Sequence, residues 1–405
     1  MSRLTFIFTF LLSASLAAET ENWPGWRGPR GDGSSLDKLV PVKWDVSKNV
    51  VWKTPIPGKG HASPIIWQDN IFNVSAIEET RQRILLCSDR RTGREKWRRI
   101  ILTSQNERIH RLNSRASSTP ATDGERVYLS FLDGQHMFVA AYGMDGKLLW
   151  KHRPGVFSSK HGYCSSPILW KDKVIINGDH DGNGYLVALE RKTGKILWKT
   201  DRPNKTRSYC TPIIRSIKGR NQMILSGSKC VASYDPDNGR QHWIVDGPTE
   251  QFVASLVYNG ELLFMTCGFP KRFMQAIDPT GSGNVTKTHV LWTTSKGCSY
   301  VPSPLSIGPY FLVVADNGVA SCFIAKTGER LWMERLSGPH SASMISANGL
   351  AYFLSDGGIM TVVKPGPEFN IVGQSKLGEA ANASPAIYEG QIFIRGEKNL
   401  YCITK

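Results

Sequence analysis

The fold is decided by one stretch, Gly184-Tyr185-Leu186-Val187-Ala188-Leu189-Glu190-Arg191-Lys192-Thr193-Gly194-Lys195-Ile196-Leu197-Trp198. In its first half, successive residues are apolar rather than every second one, which is typical of a strand buried on both faces. Thr193-Gly194 supplies a tight turn into a second strand that ends at Trp198. The stretch therefore predicts a β-hairpin.

The same hairpin recurs along the chain, which indicates a repeat protein. A Gly stands four residues before a Trp at five places, and a sixth copy has a longer turn: Gly93/Trp97, Gly146/Trp150, Gly194/Trp198, Gly239/Trp243, Gly328/Trp332 and Gly281/Trp292. From Trp52 onward the repeat Trp residues are 45, 53, 48, 45, 49 and 40 residues apart. This is the length of one four-stranded propeller blade, and each Trp is expected to wedge between neighbouring blades.

Eight units are expected, each opening with Ser-x-Pro or a variant. Six openings have Pro64, Pro120, Pro167, Pro212, Pro304 and Pro385, and two have Leu256 and Met344. The last unit, 382–404, has room for only three strands, so the strand of 49–54 is expected to complete it and close the ring. The prediction is an all-β, eight-bladed β-propeller of four-stranded antiparallel blades over 49–405. Unit 340–378 is the weakest repeat because it lacks the Gly-to-Trp step.

The N-terminal region divides into two parts. Residues 1–18 carry one charge, then a short apolar run and Ser15-Leu16-Ala17-Ala18, which predicts a cleavable signal peptide and an extracytoplasmic, periplasmic or secreted protein. The run is too short for a transmembrane segment, and the first cysteine is Cys87, so no lipid-anchor cysteine lies near the cleavage site. Residues 19–48 predict an extended segment pinned by its aromatics. Whether it plugs the channel is left open.

The net charge indicates which kinds of partner the protein could bind, and the positions of the cysteines bear on whether it forms disulfides. The formal net charge of +16 favours polyanions or an anionic surface. Eleven basic residues lie in 81–115, where a polyanion site and a solvated, charged outer strand are alternative interpretations. The export signal and the lack of any nucleic-acid-binding signature argue against nucleic acid. The eight cysteines look like small core residues, with Cys164 and Cys210 as the one candidate disulfide.

Within the repeat, Ala188-x-Glu190-x-x-Thr193-Gly194-Lys195-x-x-Trp198 resembles the tryptophan-docking repeat of pyrroloquinoline-quinone-like eight-bladed propellers. The resemblance covers about residues 49–404. That family includes quinoprotein alcohol dehydrogenases and non-enzymatic BamB-type propellers. The dehydrogenases carry an adjacent Cys-Cys pair, calcium ligands and a catalytic Asp, and none of these motifs matches here. The resemblance therefore implies a BamB-like scaffold, with the missing lipid-anchor cysteine as a departure.

One loop matches the formula of a calcium site. Asp179, Asp181, Asn183 and Glu190 have the spacing of an EF-hand loop. The flanking residues read as strands rather than helices, so a tight Asp/Asn/Gly turn is the alternative. These four residues are the weak metal candidates.

The main candidate site lies just before the innermost strands, where the loops of several blades converge on the channel mouth. Its members are His61, His110, Asn113, Arg115, His161, Tyr163, Arg207, Tyr209, Tyr300 and His340. The alternative is that each satisfies backbone groups at a strand end. No nucleophile, phosphate-loop or zinc motif is present, so no catalytic residue is assigned. The leading hypothesis is a monomeric, non-catalytic propeller that binds an envelope protein or an anionic polymer without a cofactor. The competing one is a reduced dehydrogenase dependent on pyrroloquinoline quinone (PQQ) and calcium.

Overall fold

A computed structural model describes residues 21–405, so the signal peptide predicted over 1–18 lies outside the described residues. Within 21–405 every regular element is a β-strand. This part of the chain holds no helix long and apolar enough to cross a membrane. The all-β prediction is confirmed.

The strands form eight sheets arranged as the predicted propeller, in the order blade 1 to blade 8. Two strands come from the N-terminal region: β1 (Ser34–Ser35) and β2 (Val50–Pro55). Blades 1 to 4 contain β3 (Ile65–Trp67), β4 (Asn70–Ile77), β5 (Gln82–Asp89) and β6 (Glu95–Thr103); β7 (Ala121–Thr122), β8 (Arg126–Asp133), β9 (His136–Gly143) and β10 (Leu148–His152); β11 (Ile168–Trp170), β12 (Lys173–Gly178), β13 (Tyr185–Glu190) and β14 (Ile196–Asp201); β15 (Ile213–Ile217), β16 (Arg220–Gly227), β17 (Cys230–Tyr234) and β18 (Gln241–Asp246). Blades 5 to 8 contain β19 (Val257–Tyr258), β20 (Leu263–Cys267), β21 (Phe273–Ile277) and, after β22 (Gly283–Asn284), β23 (Val290–Thr294); β24 (Leu305–Ile307), β25 (Tyr310–Val314), β26 (Val319–Ile324) and β27 (Arg330–Arg335); β28 (Ile345–Ala347), β29 (Leu350–Leu354), β30 (Ile359–Lys364) and β31 (Asn370–Lys376); β32 (Ala386–Tyr388), β33 (Gln391–Arg395) and β34 (Asn399–Ile403). Strand β22 adds a fifth, parallel strand to blade 4.

The ring closes as predicted, with β2 as the outer strand of blade 8. Strand β2 pairs antiparallel with β34, and Trp52 lies opposite Cys402. The first and last strands of the propeller therefore share one sheet, which leaves neither as a free end.

The repeated Gly and Trp are explained by contacts between blades. Five of the seven repeat Trp residues cover the turn Gly of the next blade. Trp198, for example, donates its indole N–H to the Pro236 carbonyl at 3.2 Å and lies over Gly239. A Cβ on Gly239 would approach the Trp198 ring to 2.7 Å, and the φ of Gly239 is +75°, so only Gly satisfies both backbone and space. The same overlap joins Trp52 to Gly93, Trp97 to Gly146, Trp150 to Gly194 and Trp292 to Gly328.

A second set of contacts joins the inner strands. The hydroxyl residue at the start of one blade accepts a hydrogen bond from the backbone N–H of its counterpart in the preceding blade. Six such bonds of 2.8 to 3.0 Å join Ser63 to Thr119, Thr119 to Ser166, Ser166 to Thr211, Ser255 to Ser303, Ser303 to Ser343 and Ser343 to Ser384. The Ser or Thr that precedes the Pro, Leu or Met of each opening therefore holds adjacent blades together around the axis.

The N-terminal segment crosses the end of the ring opposite the mouth. Trp23 forms a bridge with Ile66 of blade 1, and the Pro24 carbonyl accepts the Thr122 N–H of blade 2 at 2.8 Å. Arg27 is 2% exposed and donates to the Pro304 carbonyl of blade 6 at 2.6 Å. Strand β1 then pairs in parallel with β28 of blade 7. We call residues 21–48 the strap. It closes one end of the axial channel, which answers the question left open by the sequence.

The strap also covers the place where blade 7 lacks a repeat Trp. Gly373 occupies the Trp position of blade 7, opposite Val362 at the same bulge at which Trp332 faces Cys322 in blade 6. A Cβ on Gly373 would lie 2.2 Å from the carbonyl oxygen of Val42, so the strap covers this position. Trp44 is 5% exposed and packs in the core cluster shared by blades 7 and 8.

The cysteines are buried core residues apart from Cys164, which is half-buried. All eight are free thiols, so the candidate Cys164–Cys210 disulfide is not formed.

Candidate functional site

The axial channel forms a cavity of about 490 Å³ that is open at one end. Its mouth is built by the loops that lead from each outer strand to the next inner strand, together with the turns between the second and third strands of a blade. Antiparallel order puts both kinds of loop at the same end of the ring. The opposite end is closed by the strap, where Trp26 donates its indole N–H to Ser255 Oγ at 3.0 Å and lines the cavity.

Seven of the ten predicted site residues line this cavity. They come from five different mouth loops and are His61, His110, Asn113, His161, Arg207, Tyr209 and Tyr300. The convergence of loops from distant blades is therefore present at these residues. Arg115, Tyr163 and His340 do not line the cavity.

His110 and His161 form the contact between the loops that precede blades 2 and 3. Their rings pack edge to face with centroids 5.4 Å apart, and Asn113 Nδ2 donates to the His161 carbonyl at 2.8 Å. Burial, followed by the positive charge of Arg207, lowers the pKa of His161. His161 is therefore a neutral imidazole near neutral pH that can donate or accept one hydrogen bond in the cavity.

Arg207 is the charged centre of the cavity. Its Nη1 binds both oxygens of Asp181, at 2.7 and 2.9 Å, while Nε has no partner among the described residues. Burial opposes its charge, but the hydrogen bond to Asp181 prevails, so its pKa is raised. Tyr209 and Tyr300 flank it, and burial raises the pKa of Tyr300 to about 12. Both phenols therefore stay protonated and are hydrogen-bond donors.

Three predicted residues support the loops instead. Arg115 pairs with Glu78 and donates to the Glu107 carbonyl at 2.8 Å, which ties two mouth loops together. Tyr163 is 6% exposed, and its hydroxyl meets Ser130 Oγ at 3.1 Å. His340 is 2% exposed, and its Nδ1 donates to the Gly338 carbonyl at 3.1 Å. Burial lowers the pKa of His340 to about 4.

Other cavity residues were not singled out from the sequence. Phe269 and Leu112, each 50% exposed, lie at the mouth. Asp316 accepts the backbone N–H groups of Tyr300 and Val301 at 2.9 and 3.1 Å. A signal for Asp316 existed, since Asp356 stands at the matching place in blade 7 and caps Ser341 in the same way. Lone apolar residues on turns, such as Phe269, carry no comparable signal.

The four weak calcium candidates do not form one site. Asp179 is buried against Arg202 at 2.9 Å, and Asp181 is bound to Arg207. Glu190 lies at the far end of the six-residue strand β13, which separates it from Asp179 by roughly 20 Å. Strands flank the loop on both sides, so the tight-turn alternative accounts for these residues.

The cavity residues do not fit a calcium-held quinone. Calcium needs six to eight oxygen ligands that usually include carboxylates. Among the described residues Asp316 is the one carboxylate lining the cavity, and its two oxygens already accept backbone N–H groups. The remaining polar lining is guanidinium, imidazole, phenol, amide, thiol and hydroxyl.

The dense basic stretch 81–115 is mostly neutralised. Arg83 pairs with Glu107, Arg90 with Glu389, Lys96 with Asp89, Arg98 with Glu95 and Arg115 with Glu78. Residues 95–103 form the outer strand of blade 1. Arg108 and Arg111 are exposed at the mouth and have no ion pair in the described part of the chain.

The fold and the tryptophan contacts define a PQQ-like eight-bladed β-propeller. A family model described as outer membrane protein assembly factor BamB matches residues 80–295, more than half of the chain. The chain belongs to that family.

Two curated relatives point to the two branches of the fold. Outer membrane protein assembly factor BamB of Yersinia pestis is 21% identical over 369 residues, which is 90% of this chain and 80% of the relative. Quinohemoprotein alcohol dehydrogenase ADH IIB of Pseudomonas putida is 32% identical over 117 residues, 26% of this chain. The match spans only 16% of that dehydrogenase.

Solved structures show the same fold. BamB from Moraxella catarrhalis superposes with a TM-score of 0.63 at 11% identity, over 88% of this chain and 97% of that one. Quinohemoprotein alcohol dehydrogenase from Comamonas testosteroni superposes with a TM-score of 0.67 at 11% identity, over 94% and 80%. These likenesses establish the architecture and leave the activity to the site.

Proposed function

We propose that this protein is an extracytoplasmic, non-catalytic scaffold that binds a protein or an anionic polymer partner through the mouth of its axial cavity. The observation that carries the proposal is the one-ended cavity: the strap closes the floor, and loops of several blades present donors at the open end. Membership of the BamB family and the predicted signal peptide support an envelope role.

The arrangement suits binding better than catalysis. Arg207 is held by Asp181, Asp316 by two backbone N–H groups, and the imidazole of His161 is neutral. Within residues 21–405 no cavity lining residue pairs a nucleophile with a base, which covalent catalysis requires. Fixed donors around an apolar pocket are instead the usual composition of a recognition site.

The test is capture of partners from envelope extracts with the mature protein at low and high salt. We expect a protein retained by the wild type to be lost with His110→Ala/Phe269→Ala, which removes two mouth side chains. Leu291→Ala, a 52% exposed residue on the outer strand of blade 5, is the matched control. Cross-links from the captured partner should map to the mouth loops.

Equal capture by the wild type and the mouth variant would contradict the proposal. So would stoichiometric uptake of pyrroloquinoline quinone and calcium, followed by dye-linked alcohol oxidation, since this is the behaviour of the dehydrogenase branch.

A further inference from the structure

We infer that the mouth binds an extended, acidic protein segment that places one large apolar side chain in the axial cavity. The inference rests on the proposed function and specifies the chemistry of the partner.

The mouth loops of blades 1 to 5 carry a strong excess of free positive charge. Exposed Lys and Arg without an ion pair in the described residues are Arg81, Arg108, Arg111, Lys160, Lys205, Lys229, Lys271, Arg272 and Lys296. Exposed carboxylates without an ion pair in the described residues on the same loops and strand ends are Glu79, Asp201, Asp246 and Glu250. Such a field attracts an acidic partner and accelerates its association.

The positive charges are spread along an arc. They lie on seven loops and turns, from the second turn of blade 1 to the loop between blades 5 and 6. A compact ligand inside a cavity of about 490 Å³ would meet few of them. An extended chain crossing the mouth would meet many, which favours a segment with several carboxylates.

The cavity itself is not a favourable site for an anionic group of the partner. The charge of Arg207 is matched by Asp181, and the lining is mainly apolar, with Val253 and Val301 above Trp26. Desolvating a carboxylate there would cost free energy without a free cation to compensate. An apolar side chain entering the cavity would instead displace water from apolar walls.

Two exposed apolar side chains mark the entrance. Phe269 and Leu112 line the cavity from blade 5 and from the loop between blades 1 and 2. The Phe269 carbonyl accepts Thr249 Oγ1 at 2.7 Å and the Gln251 N–H at 3.1 Å, so its backbone is held in place. An exposed aromatic on a fixed backbone beside a pocket is typical of the residues that dominate interface energy. Anionic polymers without apolar groups would leave it unused, so the observations favour a peptide.

The experiment measures binding of fluorescent synthetic peptides to the mature protein by anisotropy. The probe is a pool of acidic peptides of about 12 residues, long enough to extend about 40 Å, each with one Phe or Leu. One matched pool replaces that residue by Ser, and another replaces Asp and Glu by Asn and Gln. We expect the first pool to bind at least about tenfold more tightly than either control, and its binding to weaken with salt.

Charge-reversal variants locate the site. Lys160→Glu/Lys205→Glu/Lys271→Glu changes three exposed mouth residues, and we expect the association rate to fall about tenfold or more. Lys147→Glu/Lys192→Glu/Lys326→Glu changes the same net charge on exposed turns at the opposite end, and affinity should change less than about twofold. Leu112→Ala/Phe269→Ala should weaken binding about tenfold by faster dissociation.

Three results would overturn the inference: no binding of the acidic apolar pool, equal binding of its Ser counterpart with full competition by dextran sulfate, or equal effects of the two charge-reversal triples. If an envelope partner is captured through the mouth while the peptide pools do not bind, the proposed function stands and this inference fails. If the peptides bind at the mouth but no envelope partner is captured, the peptide chemistry of the mouth stands and the proposed function fails.

Discussion

Besides the pairing of β2 with β34, we expect the strap to hold blades 7 and 8 together. Replacing Trp44 by Ala tests this. Trp44 is 5% exposed, and its backbone N–H donates to Ser375 Oγ of blade 7 at 2.8 Å. It belongs to a cluster that includes Tyr388 and Phe393 of blade 8. Its loss should loosen the junction between blades 7 and 8, where a repeat Trp is missing.

The magnitude follows from burial. Truncating a buried Trp to Ala costs about 3–5 kcal/mol. For a chain of this length the entropy of unfolding is about 0.8 kcal/mol/K, so the melting temperature should fall by about 5 °C. Gly373→Ala attacks the same junction from the other side, because its Cβ would lie 2.2 Å from the Val42 oxygen and should cost about 1–3 kcal/mol.

The assay is native-state hydrogen exchange resolved by blade. If the junction opens locally, amides of β28–β34 should exchange on the order of 10² to 10³ times faster in Trp44→Ala, while blade 3 keeps its protection. Leu39→Ala is the control, since Leu39 belongs to the same strap and is 69% exposed. Unchanged protection in blades 7 and 8, or an equal loss in all blades, would refute the assignment of Trp44 as the substitute docking residue.

Three further predictions concern the ring and its buried groups. Ser166→Ala and Ser343→Ala each leave a buried backbone N–H of the preceding blade without its acceptor, and each should lower the free energy of unfolding in urea by about 1–3 kcal/mol. Ser63→Ala is the control: its hydroxyl has no partner among the described residues, so the loss should be less than about 0.5 kcal/mol. Equal losses would contradict the role of these hydroxyl groups in joining the blades. Gly239→Ala should destabilise the protein by several kcal/mol and Gly219→Ala by only about 1 kcal/mol. Both glycines have a positive φ, but of the two only Gly239 lies under a Trp ring. Similar melting temperatures for the two variants would show that backbone strain alone sets the cost. His340 has a folded-state pKa of about 4, so as pH falls below about 6.5 the unfolded chain takes up a proton first. The contribution of His340 to the free energy of unfolding should therefore drop by about 3 kcal/mol between pH 6.5 and 4. His340→Gln should flatten that part of the pH profile of stability, and an unchanged slope would contradict the prediction.

The sequence predicted the ring well because its signals are local. A turn Gly and the Trp four residues later belong to one hairpin, so each blade shows its own pattern even though the contact joins two blades. The role of Trp44 left no such pattern, since its partner Ser375 is 331 residues away. The weakness of blade 7 was visible, but the segment that compensates for it was not.

The site was predicted less completely for a related reason. Arg115 and Arg207 stand at comparable places before inner strands, and the sequence gives no ground for separating them. The structure does, because Arg115 meets Glu78 and Glu107 between two loops, while Arg207 lines the cavity and pairs with Asp181. Which carboxylate a loop arginine reaches depends on packing between blades, and no repeat pattern records it.

The strap contributes both to the closure of the ring and to the floor of the cavity. Trp26 is anchored to Ser255 at the floor of the cavity, and Trp44 of the same segment seals blades 7 and 8. Since both residues belong to one continuous segment, an intact ring and a floor of fixed position accompany each other. A fixed floor sets the depth available to an entering side chain, and a site of defined depth distinguishes one apolar side chain from another. The closure of the fold is therefore also what gives the cavity its shape.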